Sequence, residues 1–178
     1  MLDTASGVLE RALAHEPTLG EGRLICIDGP AGSGKTTLAA AIAEQHPGTQ
    51  VVHVDDLLEG WQGLPGVAER LDPLLGPLSE GRPGSYRRFD WHANRLAESV
   101  AVTPAELVVI EGVGSGNRRH AQRCTVLVWV EHSDAEERLR RGMARDGEGM
   151  RDHWVQFMAD EQRLFADEET RERADVIV

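Results

Sequence analysis

The most distinctive side chain in this sequence is that of Lys35, the only lysine among 19 basic Lys and Arg residues. It lies in Gly-Pro-Ala-Gly-Ser-Gly-Lys-Thr at positions 29–36, which fits the spacing G-x-x-x-x-G-K-[ST]. In this motif glycines let backbone N–H groups surround phosphates, and the lysine contacts the β- and γ-phosphates as a compact point charge. The predicted nucleotide-binding residues are Gly29, Pro30, Ala31, Gly32, Ser33, Gly34, Lys35, Thr36 and Thr37.

Two adjacent carboxylates, Asp55 and Asp56, follow a predicted strand over 50–54. At this edge of a nucleotide-binding sheet, Asp55 is predicted to accept the proton of an attacking hydroxyl group or to hold Mg²⁺. Asp56 is predicted to contact the acceptor. Alternatively, the pair caps the helix that follows. Because two carboxylates would repel a phosphate, they favour a neutral hydroxyl acceptor.

A predicted apolar strand over 107–111 ends on Glu111, and glycines behind this acid leave room for a ligand. Such an acid commonly reaches Mg²⁺ directly or through water, so Thr36, Glu111 and Asp55 are the predicted metal-binding residues. A strand ending on Glu131 has the same pattern, but it lacks the glycines that favour Glu111.

Four arginines lie on a predicted helix over 135–145. Arg141 and Arg145 are four residues apart and share a face, so they are predicted to close over the transferring phosphoryl group. Arg138 and Arg140 are predicted to form surface salt bridges with neighbouring glutamates. The catalytic residues predicted from all these patterns are Lys35, Asp55, Arg141 and Arg145.

Aromatic, basic and acidic residues alternate closely at positions 86–92 of a chain with only 4% aromatic residues. Tyr86 and Trp91 could stack on a planar substrate, and Asp90 could hydrogen-bond a sugar or a base edge. Alternatively, the rings in this segment anchor the core. His53, within the second predicted strand, is expected to be a packed and hydrogen-bonded core histidine.

Strands and helices alternate along the chain, which is typical of a parallel sheet with helices on both faces. Strands are predicted over 23–28, 50–54, 107–111, 125–131 and 175–178. Helices are predicted over 4–14, 36–45, 67–75, 91–99, 135–145 and 153–165. The sequence therefore predicts one α/β domain over 1–178, with an N-terminal helix in 1–20, an acceptor-binding segment over about 56–100 and a lid over about 134–152.

Net charge, apolar runs and cysteine spacing exclude some classes of function. The formal net charge of −11 argues against binding to nucleic acid, whose phosphates would be repelled. No apolar run is long enough to span a membrane, and no signal peptide is apparent, so a cytoplasmic protein is expected. Cys26 and Cys124 lack metal-ligand spacing and are expected to be buried thiols rather than a disulfide.

The motifs occur in an order that resembles the uridine kinase and phosphoribulokinase branch of P-loop kinases. The order is Gly-Pro-Ala-Gly-Ser-Gly-Lys-Thr at 29–36, Asp-Asp at 55–56, Phe-Asp-Trp at 89–91, Ile-Glu-Gly at 110–112, Arg-Leu-Arg-Arg at 138–141 with Arg-Asp at 145–146, and Ala-Asp-Val-Ile-Val at 174–178. The resemblance implies a three-layer fold with a five-stranded parallel sheet and an arginine-bearing lid. It also implies ATP with Mg²⁺ as phosphoryl donor and a hydroxyl group as acceptor.

By the same resemblance, Asp55 is the catalytic base, Glu111 the acid near the metal, and Arg141 and Arg145 the lid arginines. Leu57 and Leu58 replace a Phe-Tyr pair that is common in the family. The predicted function is a Mg²⁺-ATP-dependent kinase acting on a small molecule, most simply a nucleoside. The alternatives are a nucleoside monophosphate kinase, with Arg82, Arg87 or Arg88 binding the acceptor phosphate, and a regulatory protein that hydrolyses nucleotide slowly.

Overall fold

The computed structural model describes residues 2–178, and the first residue of the predicted 1–20 segment lies outside this range. The strands are β1 (Arg23–Asp28), β2 (Gln50–His53), β3 (Gly84–Asp90), β4 (Arg95–Val102), β5 (Leu107–Glu111), β6 (Val126–Trp129) and β7 (Val176–Ile177). The helices are α1 (Leu2–Ala14), α2 (Lys35–Gln45), α3 (Val67–Arg70), α4 (Asp72–Ser79), α5 (Ala135–Asp146), α6 (Arg151–Glu168) and α7 (Thr170–Arg173).

The central sheet has five parallel strands, as predicted, and their order is β2-β5-β1-β6-β7. Its strands are apolar at consecutive positions because both faces are covered. Along β1, Leu24 and Cys26 belong to one hydrophobic core, and Ile25 and Ile27 belong to the other. Helices α1 and α2 cover the second core, whereas α3, α4 and α6 contribute to the first. The fold is therefore a three-layer α/β sandwich.

The carboxyl ends of the sheet strands meet at one edge. The Cα of Ile27 on β1 and the Cα of His53 on β2 both pair with Glu111 on β5. The segments that follow these strands therefore lie close together, which is where parallel α/β sheets bind ligands. This register brings the phosphate loop, the Asp55–Asp56 pair and Glu111 to the same place.

The predicted helix over 91–99 is wrong, because this segment forms the turn and second strand of an antiparallel hairpin made by β3 and β4. The Asp90 carboxylate accepts hydrogen bonds from the backbone N–H groups of His92 and Ala93, and Asn94 has φ +49°. These features close a turn and oppose helix formation. The predicted helix over 67–75 is divided between α3 and α4, which begins with Asp72 and Pro73. Proline has no N–H to continue a helix but is favourable in a first turn.

Cys26 and Cys124 are both free thiols, as predicted, although Cys124 is only partly buried. Between residues 2 and 178, no helix is both long and apolar enough to cross a membrane.

Candidate active site

The phosphate loop joins β1 to α2 and is shaped by glycines. Gly29, Gly32 and Gly34 have φ values of +138°, +78° and +107°, in the region that residues with a Cβ rarely adopt. A Cβ at Gly29 would lie 2.4 Å from the carbonyl oxygen of Val130, whereas one at Gly34 would meet open space. The loop therefore needs glycine for its conformation, and at Gly34 it leaves room beside the N-terminus of α2.

Lys35 begins α2 and is buried across its own loop. Its Nζ donates hydrogen bonds to the carbonyl oxygens of Gly29 and Pro30, both at 2.8 Å. Desolvation by burial lowers the pKa of Lys35, while the negative charges of Asp28 and Glu111 oppose this shift. These two bonds use two of the three ammonium donors. The charge is thus held at the loop, where it could also contact a phosphate.

Glu111 connects the loop to the second strand. Its Oε1 accepts a hydrogen bond from Thr36 Oγ1 at 3.0 Å and lies 2.6 Å from His53 Nδ1. The hydrogen bond to Glu111 raises the pKa of His53. His53 was expected to be a packed core residue, but its side chain is 45% exposed and contacts the predicted metal acid. The structure therefore places Thr36 and Glu111 together, with His53 as a third member that the sequence did not reveal.

Asp55 lies in the short helical turn Val54–Asp56 that follows β2, and its side chain faces the cavity. The side chain is accessible to water through the cavity, yet the surrounding walls desolvate it. This desolvation raises the pKa of the Asp55 carboxyl, and the positive charge of Lys35 acts in the opposite direction. Its backbone oxygen accepts a hydrogen bond from Trp91 Nε1 at 3.0 Å. An ionised Asp55 is suited to accept a proton.

A cavity of about 820 Å³ is lined by the phosphate loop, by the carboxylates Asp55, Asp56 and Glu111, and by residues of α5. Most of the predicted site residues line it, whereas Gly29, Pro30, Ser33, Tyr86 and Asp90 do not. Those that do are Ala31, Gly32, Gly34, Lys35, Thr36, Thr37, Asp55, Asp56, Trp91, Glu111, Arg141 and Arg145. This volume is within the range of cofactor and small-molecule sites. One cavity therefore brings together groups that are distant in the sequence.

The opposite wall of this cavity is aromatic, and of its rings only Trp91 was predicted from the sequence. Trp61 makes edge-to-face contacts with Trp91 and Trp154, each with ring centroids 5.6 Å apart, and stacks on His153 at 5.5 Å. Phe157 contacts Trp61 at 6.1 Å. Three of the four tryptophans in the chain meet here. Their rarity in an aromatic-poor sequence was the signal that could have identified this wall.

Arg141 and Arg145, the predicted lid arginines, lie on α5. The Arg141 Nε donates a hydrogen bond to Glu137 Oε1 at 2.9 Å, and the Arg141 Nη1 lies 3.4 Å from the carbonyl oxygen of Gly32. The guanidinium of Arg145 lies 5.6 Å from the Trp154 ring centroid and is bonded to Asp146. Both arginines line the cavity beside the phosphate loop. Their position is suited to neutralising phosphoryl charge.

Arg138 and Arg140 were both predicted to form surface salt bridges, and only one of them does. Arg140 forms the expected surface ion pair with Glu137 at 2.6 Å. The surface assignment of Arg138 is wrong, because its side chain is only 5% exposed and is paired with buried Glu161. The first turn of α5 packs on the phosphate loop, which covers Arg138.

Tyr86 and Asp90 lie away from the main cavity. Burial raises the pKa of Tyr86, and the negative charge of nearby Asp56 adds to this rise. The Asp90 carboxylate is occupied by the backbone of the turn described above. Of the three residues predicted from the aromatic segment, the structure brings only Trp91 to the cavity wall.

The loop and its neighbours fit a nucleotide and Mg²⁺. Ser33 Oγ is buried and has no hydrogen-bond partner within the described chain, and the space at Gly34 is open. Thr36 and Glu111 supply oxygen atoms, which Mg²⁺ prefers. Residues 2–178 contain no group of three or more His, Cys, Asp or Glu suited to a metal ion. Thr36 and Glu111 are therefore the residues that would hold Mg²⁺, an ion that usually keeps water and phosphate ligands as well.

Comparison with known proteins assigns the family. The model of a family described as AAA domain matches residues 25–164, from β1 to α6. The chain belongs to this AAA domain family. It has a P-loop kinase fold, in agreement with the resemblance drawn from the motifs.

Three solved structures share this fold. A protein described as a possible uridine kinase from Bacillus stearothermophilus is 20% identical, with a TM-score of 0.66 over 98% of this chain and 97% of its own. A protein assigned as a fructose transport system kinase from Silicibacter sp. TM1040 is 23% identical, with a TM-score of 0.69 over 99% and 98%. Shikimate kinase from Bacteroides thetaiotaomicron is 20% identical, with a TM-score of 0.50 over 87% and 84%. A search of curated proteins found no match.

Proposed function

We propose that this protein is a Mg²⁺-ATP-dependent kinase that transfers the γ-phosphoryl group to a hydroxyl of a small molecule. The main observation in support is that the Asp55 carboxylate faces the same cavity as Lys35 and the phosphate loop. A base beside a phosphate site is what transfer to a neutral hydroxyl requires. The kinase fold of the solved structures agrees with this proposal.

The residues divide into three roles. Asp55 accepts the proton of the acceptor hydroxyl as its oxygen attacks phosphorus. Lys35, Arg141 and Arg145 balance the negative charge that develops on the phosphoryl oxygens. Thr36 and Glu111 would hold Mg²⁺, which when bound screens the phosphate charge from the carboxylates. Bound ATP supplies the phosphoryl group, and ADP is the leaving group.

The acceptor is proposed to be a ring-containing hydroxyl compound such as a nucleoside. Trp61, Trp91 and Trp154 present an aromatic wall to the cavity, and such rings suit a planar base or the apolar face of a sugar. Asp55 and Asp56 lie at the acceptor side and would repel an acceptor phosphate. The site therefore favours an acceptor without a phosphate at the reacting end.

The nucleoside monophosphate kinase alternative requires arginines that bind the acceptor phosphate. Arg82 pairs with Glu80, Arg88 pairs with Glu98, and Arg87 donates to the carbonyl oxygen of Ala97. None of these three arginines lines the main cavity. This arrangement argues for the hydroxyl acceptor.

The direct test measures ADP formation from ATP and Mg²⁺ with nucleosides, sugars and their matching monophosphates as acceptors. We expect turnover with a free hydroxyl compound and none with the monophosphate alone. Phosphorylation of a monophosphate, with its nucleoside inert, would support the alternative. Slow hydrolysis that no acceptor stimulates would instead support a regulatory nucleotide-binding protein.

A further inference from the structure

A buried ion pair lies directly behind the phosphate loop. Glu161 on α6 is 1% exposed, and Arg138 on α5 is 5% exposed. The Arg138 Nη1 donates to Glu161 Oε1 at 2.9 Å. Neither side chain lines the main cavity, so the mechanism above does not use them directly.

The pair encloses one residue of the loop, Ala31. The Ala31 N–H donates to Glu161 Oε2 at 2.7 Å, and the Ala31 carbonyl oxygen accepts from Arg138 Nη1 at 3.1 Å. The two peptide groups that flank Ala31 are therefore both held by side chains from outside the loop. The N–H of Ala31 points at Glu161, although Ala31 was predicted from the sequence to bind the nucleotide.

The same contacts fix the lid helix. The backbone of Arg138 is so close to the loop that a Cβ at Gly32 would lie 3.2 Å from its carbonyl oxygen. Arg141 and Arg145 follow Arg138 at positions i+3 and i+7, on the same face of α5. Anchoring Arg138 therefore sets the rotation of α5 and directs both lid arginines toward the cavity.

Stability alone does not explain this pair. A buried ion pair usually contributes little net stability, because removing two charges from water costs about as much as their attraction returns. Burial raises the pKa of Glu161 despite the adjacent guanidinium, and Arg138 Nε is buried without a hydrogen-bond partner in the described chain. The geometry that the pair imposes is the better explanation.

We propose that Glu161 and Arg138 are positioning residues that lock the phosphate loop and the lid helix into one arrangement. Both Glu161 oxygens accept hydrogen bonds, whereas glutamine has only one acceptor oxygen. Glu161→Gln must therefore turn an N–H₂ group toward either Arg138 or the Ala31 N–H. The substitution preserves side-chain volume and breaks one of the two links.

The first experiment does not depend on any activity. Hydrogen exchange of the backbone amides is compared in the wild-type protein, Glu161→Gln and Asp160→Asn. Asp160 is a matched control, because it lies next to Glu161 but pairs with exposed Arg163 on the surface. We expect faster exchange in both the phosphate loop and the first turn of α5 in Glu161→Gln only. Exchange that changes only around residue 161 would overturn the proposal.

The second experiment rests on the proposed function. Binding of a non-hydrolysable ATP analogue with Mg²⁺ is expected to weaken about tenfold in Glu161→Gln, the scale of one charged hydrogen bond. The Asp160→Asn control is expected to bind as the wild type does. Weaker binding without the exchange change would also contradict the proposal. If the wild-type protein binds no analogue, the proposed function is refuted. The exchange experiment would still test whether Glu161 and Arg138 position the loop and α5.

A double variant covers the possibility that Glu161→Gln folds poorly. Arg138→Met with Glu161→Met replaces the pair by apolar side chains, which is often neutral for stability. We expect a thermal midpoint near that of the wild type together with fast exchange in the loop. A folded double variant whose loop exchange and analogue binding match the wild type would show that the pair has no positioning role.

Discussion

At the scale of single residues, neighbouring charges in the site shift one another's pKa values. Lys35 lies near Asp28, Glu111 and Asp55, and each of these carboxylates counteracts the lowering of the Lys35 pKa by burial. Lys35 in turn counteracts the raising of the Asp55 pKa. The lysine therefore helps to keep Asp55 ionised, which is the form that can accept a proton. Removing either group should affect the other.

Removing the Lys35 charge is expected to lower kcat by about 10²–10³, the effect of losing one positioned electrostatic contact. Lys35→Met is the suitable substitution, because it keeps the length of the side chain in a buried setting. Arg140→Met is the control, since Arg140 is exposed and pairs only with Glu137. Steady-state kinetics together with thermal unfolding would test this. Full activity in folded Lys35→Met would contradict the kinase proposal.

Replacing Asp55 by asparagine is expected to lower kcat by about 10²–10⁴, the usual contribution of a positioned general base. Binding of ATP should change little, because the proton acceptor acts on the other substrate. Asp56→Asn is the matched comparison and should have a smaller effect, since the charge of Asp56 acts on Tyr86, which does not line the main cavity. If Asp56→Asn proved the more damaging change, the base would have to be reassigned.

The pH dependence of turnover gives a separate test of Asp55. Desolvation raises its pKa above the ordinary value of 3.8. A base must be ionised to act, so activity should be lost as the pH falls through this raised pKa, and the acid limb should lie at a higher pH than an ordinary aspartate would give. The limb should disappear from the residual activity of Asp55→Asn. A limb that persists unchanged there would belong to another group.

At the scale of elements, α5, which carries the predicted lid arginines, packs closely on α6. Gly142 lies against Trp154, and a Cβ at this position would lie 2.4 Å from the Trp154 Cε2 atom. Glycine lets the two helices approach while Arg141 and Arg145 face the cavity. Trp154 is also fixed by its Nε1–H donating to Asp146 Oδ2 at 3.0 Å, so it has little freedom to move aside.

Gly142→Ala is therefore expected to destabilise the protein although alanine favours helices. Overpacking a tight contact costs about 1–3 kcal/mol, which equals or exceeds the gain of about 1 kcal/mol in helix propensity. Gly7→Ala in α1 is the control, because a Cβ at Gly7 meets nothing within 4 Å. Urea unfolding should show a stabilised Gly7→Ala and a destabilised Gly142→Ala. Equal stabilisation of both variants would contradict the packing argument.

At the scale of the whole molecule, Asp28 joins three parts of the fold. It ends β1, is fully buried, and accepts hydrogen bonds from the N–H groups of Gly29, Gly114 and Gly116. It thereby ties the central strand to the phosphate loop and to the loop after β5. Desolvation raises the pKa of Asp28 to about 6, and these backbone hydrogen bonds act against the rise.

This shift predicts how stability depends on pH. Between pH 3.8 and about 6, the folded state binds the Asp28 proton more tightly than the unfolded state does. The contribution of this group is therefore greatest below about pH 4 and falls by about 3 kcal/mol in total, a fall that is complete only above about pH 6. Asp28→Asn should remove this component from the difference in unfolding free energy between pH 4 and pH 6. Asp160→Asn should retain it, and an identical pH profile in both variants would refute the assignment.

The sequence was sufficient for features that depend on local order. The phosphate loop follows from glycines and a lysine at fixed spacing, and the parallel sheet follows from apolar runs that alternate with helices. Asp55 and Glu111 could be chosen because a parallel sheet brings the ends of its strands to one edge. These inferences need only the chain direction and the periodicity of each element.

Long-range packing decided the remaining features. Arg138 looked like a surface residue because its helix is rich in charge, but the phosphate loop and α6 cover it, and its partner Glu161 lies on another helix. Trp61 and Trp154 meet on one wall of the cavity although they are far apart in the chain. The β3–β4 hairpin depends on the turn closed by Asp90 and on cross-strand pairing. Burial and pairing partners are set by which elements pack together, and that choice depends on the energy of the whole fold rather than on any local pattern.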